Sequence, residues 1–178
     1  MTAVTRPLEH QSAAADVVRS ERRPGARVAY TRILVPVTAS DTSDNAVVAA
    51  ALLASERKAE ITLLNVIEVS RDLPLEALFP DEERDGRETL RRAIAILDEY
   101  GVDSHTRLVR STSAAAAILE TANRTQPEII VMGAVRRLRR QSGVFSANVL
   151  TVLKAAPCRV MLVSAWPGAK PVRGSTAG

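Results

Sequence analysis

Five short runs rich in β-branched and aliphatic residues, each separated from the next by a stretch long enough for a helix, constrain this chain more than any other feature. The runs cover residues 32–37, 61–66, 107–110, 128–132 and 158–164. Ser43 is placed to cap a helix over 44–57, apolar over 46–54. A second helix is predicted over 81–100. Its Leu90, Ala93, Ile94 and Leu97 form one stripe, and Gly101 stands where a terminating glycine belongs. Ser113 is placed to cap an alanine-rich helix through residue 122. Phe145, Val149, Val152 and Leu153 mark one face of a last helix, which Pro157 ends. Continuous apolar strands joined through helices belong to a parallel sheet covered on both faces, an α/β class fold. Ligands of such sheets sit beyond the carboxyl ends of the strands, where the connections change direction. The candidate site is therefore built from segments 36–41 and 132–148.

At 178 residues the chain supports one well-buried core. Hydrophobic residues make up 46% and charged residues 25%, and no apolar run approaches the roughly 18 residues of a membrane span. Arg6, Glu9, Asp16, Arg19, Glu21, Arg22 and Arg23 interrupt the first thirty residues, which excludes an apolar secretory core there. The single cysteine, Cys158, rules out an internal disulfide and fits a reducing compartment, so a cytoplasmic location is expected. Residues 1–30 and 166–178 read as flexible tails around a domain over 31–165. The net charge is +4, and Arg136, Arg137, Arg139 and Arg140 account for all of it. A local basic cluster in a balanced chain suggests a small anionic ligand or an acidic partner.

The two candidate segments also carry a resemblance. Ile33-Leu-Val-Pro-Val37 with Ser40 and Ser43, then Ile129-Ile-Val-Met-Gly133, then the ending from Val152 to Val163, resemble the universal stress protein family. The resemblance spans about residues 32–164. It implies a three-layer α/β/α sandwich of the adenine nucleotide alpha hydrolase-like type, with a five-stranded, mostly parallel sheet in the order 3-2-1-4-5. It also implies that Pro36, Val37, Thr38 and Ser40 border a nucleotide, that the backbone of Val66 meets adenine, and that Met132 and Gly133 lie beneath the nucleoside. The family's phosphate-binding glycine pattern is altered here. Aligned on Gly133, the later glycine positions hold Arg136 and Ser146, the hydroxyl position holds Ala147, and Thr38 stands where binding members have Asp. Arg136, Arg137, Arg139 and Arg140, with Ser142 and Gly143, are expected to replace the cradle, since guanidinium groups bind phosphate with full charge. Asn148 closes the same segment. A similar arginine-rich loop occurs in universal stress domains attached to amino-acid and cation transporters.

The expected ligand is an adenine nucleotide: ATP, AMP, or a cyclic nucleotide or dinucleotide such as cyclic di-AMP. No metal is expected, because His10 and His105 stand apart. No Ser/His/Asp or Cys/His arrangement can be assembled, and the acids, such as Glu82, Glu83, Glu88 and Glu99, fall on helical faces read as exposed, so an enzyme is not expected. Glu88 is spaced to pair with Arg91 and Arg92. Cys158 reads as a buried inert thiol. Aromatic residues are 3% of the chain and none interleaves with the arginines, which disfavours nucleic acid. By resemblance, Arg159, Val160, Met161, Leu162 and Val163 form an edge strand through which a homodimer assembles. The competing reading is a ligand-free dimeric module whose arginine loop docks an acidic protein, such as a transporter's cytoplasmic surface.

Overall fold

Strands β1 (Arg32–Pro36), β2 (Glu60–Glu68), β3 (Ser104–Ser111), β4 (Ile129–Gly133) and β5 (Arg159–Val163) alternate along the chain with four helices. These are α1 (Asp41–Ser55), α2 (Pro80–Glu99), α3 (Ala114–Thr125) and α4 (Ala147–Ala155). The structure, a computed structural model, describes residues 30–55, 59–70, 72, 79–134 and 145–164. The strands lie in the order β3-β2-β1-β4-β5, and every pairing is parallel. The fold is the one expected from the sequence.

Because successive side chains of a strand point to opposite faces, each inner strand feeds two cores. Ile33 and Val35 of β1, Ile61 and Leu63 of β2, and Ile129 and Val131 of β4 pack with the inner faces of α1 and α2. Leu34, Leu64, Ile130 and Met132 pack with Ala115, Ile118, Val149 and Val152 of α3 and α4. Several of these side chains, Leu34, Val35, Leu64 and Ile130 among them, are fully buried. At about 25 cal/mol per Å² of apolar surface, each such side chain contributes roughly 1.5–3 kcal/mol.

Helix starts follow their chemistry, with one correction. α1 begins at Asp41, earlier than the expected 44, because Ser40 rather than Ser43 caps it. The Ser43 N–H donates to Ser40 Oγ at 3.3 Å, and Ser43 is itself buried in the first turn. Ser113 and Ser146 cap α3 and α4 by accepting from the N–H groups of Ala116 and Val149. α2 opens on Pro80 and is closed by Gly101, whose φ of 65° lies in the left-handed region. α3 continues to Thr125, beyond the expected 122, and ends on Gln126 at φ 48°. β3 is twice its expected length because it is a polar edge strand, and its N-terminal half, with His105, Thr106 and Arg107, carries no apolar signal. Arg91 pairs with Glu88 as expected, but Arg92 leaves that helix face and reaches Asp44 and Asp41 of α1, joining α1 to α2.

Strand lengths shape the site. β1 ends at Pro36 opposite Leu64, whereas β2 runs four residues further, from Asn65 to Glu68, paired only with β3. The Val37 N–H donates to the Leu64 carbonyl at 2.8 Å, so that carbonyl points toward β1. By the two-residue period of a strand, the peptide groups of Val66 point the same way, into the space that β1 has left.

Candidate functional site

A cavity of about 300 Å³ opens beyond the carboxyl ends of β1 and β4, where the connections diverge to opposite faces. Pro36, Thr38 and Ser40 come from β1 and the turn that follows, and Thr42 and Ser43 from the first turn of α1. Met132 and Gly133 close β4; Ala114 and Ile118 belong to α3; Ser146, Asn148 and Val149 belong to the start of α4. Three helix N-termini thus border one cavity with the partial positive charge of their first-turn N–H groups, met at α3 by the Glu68 carboxylate. None of the described lining side chains is charged.

Hydroxyl groups hold the turn between β1 and α1. The Thr38 N–H donates to Ser43 Oγ at 2.9 Å, and the Thr38 and Ser40 hydroxyls lie 3.1 Å apart. Behind them the buried amide of Asn65 donates to the Val37 carbonyl at 3.0 Å, tying the turn to the overhang of β2. Gly133 closes the other side. A Cβ there would lie 2.6 Å from the Thr42 carbonyl oxygen and 3.0 Å from the Ser43 nitrogen, so only glycine admits this approach of β4 to α1. At the α3 wall, the Glu68 carboxylate accepts from the Ala114 N–H at 2.8 Å.

Most described members of the expected site converge here: Pro36, Thr38, Ser40, Met132, Gly133, Ser146 and Asn148 all line the cavity. Val37 is adjacent, but its side chain is buried in the α1–α2 core and its N–H and carbonyl are taken by Leu64 and Asn65 of β2. The Val66 side chain packs with the α3–α4 core. Ala147 is the exposed first residue of α4. Arg136, Arg137, Arg139, Arg140, Ser142 and Gly143 lie outside the described residues. Sequence reasoning missed Thr42, Ala114, Ile118 and Val149, and read Ser43 only as a helix cap. Ala114 was within reach of it, because Ser113 marks a helix start at the same end of the sheet.

Two other features bear on chemistry. A larger hollow of about 610 Å³ lies on the opposite face between α2 and β3, away from the strand ends that diverge. Its ionic groups pair with one another. Glu83 meets Arg87 at 2.8 Å and also pairs with Arg110, and the Arg110 hydrogen bond, more than any other influence, holds the Glu83 carboxyl below the usual carboxylate range. Glu83 was read as an exposed helical acid; its side chain is only 21% exposed because of these contacts. Cys158 packs against the α3–α4 core, and burial pushes its thiol up, away from nucleophilic character. Among the described residues no group of three or more His, Cys, Asp or Glu side chains could hold a metal ion, and no helix is long and apolar enough to cross a membrane.

Comparison with known proteins agrees with this fold. The universal stress protein MJ0531 of Methanocaldococcus jannaschii is 29% identical over 140 residues, covering 75% of this chain and 82% of that protein. The crystal structure of a universal stress family protein from Burkholderia pseudomallei, 25% identical, superposes with a TM-score of 0.61 and covers 80% of this chain and all of that one. A universal stress protein from Archaeoglobus fulgidus, solved in complex with dAMP, shares the fold at 18% identity, with a TM-score of 0.61 over 76% of this chain and 98% of that one. The model of the universal stress protein family matches residues 29–164, from just before β1 to just past β5, and the chain belongs to that family.

Proposed function

We propose that this protein is a regulatory binding protein that holds an anionic adenine nucleotide in the cavity between β1 and β4. The observation that carries the reading is the convergence of the α1, α3 and α4 N-termini on one cavity at the diverging strand ends. The apolar floor of Met132, Ile118 and Val149 suits a flat base, and the hydroxyls of Thr38, Ser40 and Ser146 suit a sugar. At about 300 Å³ the cavity is at the small end of ligand sites, which fits a nucleoside better than a complete triphosphate. The backbone edge of Val66 faces the same space and offers both a donor and an acceptor to an adenine edge. The Archaeoglobus protein solved with dAMP supports a ligand of this class.

Because the described lining is uncharged, charge for the phosphate must come from elsewhere. Arg136, Arg137, Arg139 and Arg140 follow Gly133 in sequence and are assigned that role, with Ser142 and Gly143 beside them. Calorimetric titration with ATP, AMP, cyclic AMP and cyclic di-AMP at moderate salt tests the assignment. Binding is expected for at least one of them, and it should weaken by at least tenfold, about 1.4 kcal/mol, when the four arginines become alanine. No heat from any of the four, with a folded protein, would overturn the reading in favour of a module that docks an acidic protein.

The protein is also proposed to form a homodimer through β5. That strand pairs with β4 alone, and its other edge, from Arg159 to Val163, has no neighbour among the described residues.

A further inference from the structure

We infer that Glu68 selects a ligand whose base carries an exocyclic amino group, accepting one of its two protons while the Val66 carbonyl takes the other. The inference rests on the nucleotide reading of the cavity and adds to it a residue that chooses among bases.

The placement comes from the overhang of β2. Leu64 and Val66 pack with the α3–α4 core, and Glu68 continues the same alternation, two residues further beyond the end of β1. Its backbone is fixed by the pairing of Glu68 with Ser111 and by the Val69 N–H, which donates to the Ser111 carbonyl at 2.9 Å. Its carboxylate is fixed by α3, where Oε1 accepts from the Ala114 N–H at 2.8 Å, and Ala114 lines the cavity. A carboxylate has a second oxygen with its own lone pairs, so this contact leaves it able to accept again.

The result is an asymmetric rim. At the α3 wall the helix N-terminus is already met by a negative charge, so that side no longer favours phosphate. The α4 side carries the capping hydroxyl of Ser146 and no acid in its first turn, whereas the first turn of α1 carries Asp41 and Asp44, the latter paired with Arg92. A nucleotide is therefore oriented with its base toward β2 and α3 and its phosphate toward α4. At the β2 end, beside the cavity, the Val66 carbonyl and the Glu68 carboxylate are two acceptors available to the two protons of a 6-amino group. A 6-oxo base would present its own acceptor to both.

The test is calorimetric titration of the full chain with AMP and IMP, for the wild type, Glu68→Gln and Glu68→Ala, each accompanied by a thermal melt. Gln keeps an acceptor for the Ala114 N–H but replaces the second oxygen with a donor. The wild type should bind AMP about tenfold or more tightly than IMP, the worth of a hydrogen bond to a charged group. In Glu68→Gln the preference should fall to near unity or reverse, and in Glu68→Ala it should shrink. Glu68 is exposed, so neither change opens the core. If Glu68 only capped α3, both ligands would weaken equally and the ratio would stay constant, which overturns the inference. Equal wild-type affinities for AMP and IMP overturn it as well, while leaving the nucleotide site standing. A wild type that binds neither takes down the nucleotide reading itself, and this inference with it.

Discussion

Gly133 has two neighbours that leave no room for a methyl group, the carbonyl of Thr42 and the nitrogen of Ser43. Both are backbone atoms in a capped first turn, so neither yields easily. Gly133→Ala should cost about 1–3 kcal/mol of stability, read as a lower urea midpoint. Ser43→Ala removes the acceptor for the Thr38 N–H in a partly buried turn, and a loss of about 0.5–1.5 kcal/mol is expected by the same measurement. Acid acts on different residues. Glu128 is held below the usual carboxylate range chiefly by the Thr31 N–H, and Glu83 chiefly by Arg110. Carboxyls depressed in the folded state contribute stability above their ordinary value of 4.5, and that contribution drains away as the pH falls through the folded value. The stability difference between wild type and Glu83→Gln should therefore be present at pH 7 and shrink toward zero at strongly acid pH. A difference that held constant with pH would reject an ionic origin. At this scale the sequence showed which residues matter better than why. Gly133 was legible as a special glycine, but its reason, a helix pressed against it, comes from a neighbour ninety residues away in the chain.

Helices with turn signals at both ends were legible nearly to the residue, because capping is local chemistry. Ser113 and Gly101 act as they were read, while Pro80 opens α2 one residue before its expected start and Ser146 caps α4, a role the sequence reading had not given it. β3 was read at half its length, since a polar edge strand has no apolar period to reveal it. Gly86 is the opposite case, a poor helix former inside α2. Its missing Cβ would lie 2.7 Å from both Asn65 Oδ1 and Leu108 Cδ1, so any larger residue there must displace those two side chains from between the helix and β2 and β3. The edge of β5 yields the prediction at this scale. Val160 and Leu162 pack with the α3–α4 core, so lysine at either would unfold the protein instead of testing its assembly. Met161 points the other way and is 39% exposed. Met161→Lys should leave the thermal melt nearly unchanged and shift the light-scattering mass from dimer to monomer. A variant that stays dimeric would move the interface away from this strand.

For the molecule as a whole, a ligand that binds only the folded state raises stability by mass action. At a hundredfold excess over Kd the gain is about 2.7 kcal/mol, a melting shift of roughly 5–11 °C for a domain of this size. The nucleotide that names the site should be the one that gives this shift, and a screen in which every nucleotide leaves the melting curve in place would argue for a protein ligand. The location of the site was readable from topology alone, because diverging connections make a crevice whatever the residues. The α3 wall, with Ala114 and Ile118, and the Glu68 carboxylate bonded to its first N–H were not, since they depend on how far β2 outruns β1.

The sheet keeps its two apolar clusters apart, and the cavity opens into only one of them. The half built on α1 and α2 can serve as a stability reserve, while exchange of one apolar residue for another at 118 and 149, which both pack the second half and line the cavity, reshapes the space for a new occupant. A fold partitioned in this way can change what it binds, or stop binding altogether, and still remain folded.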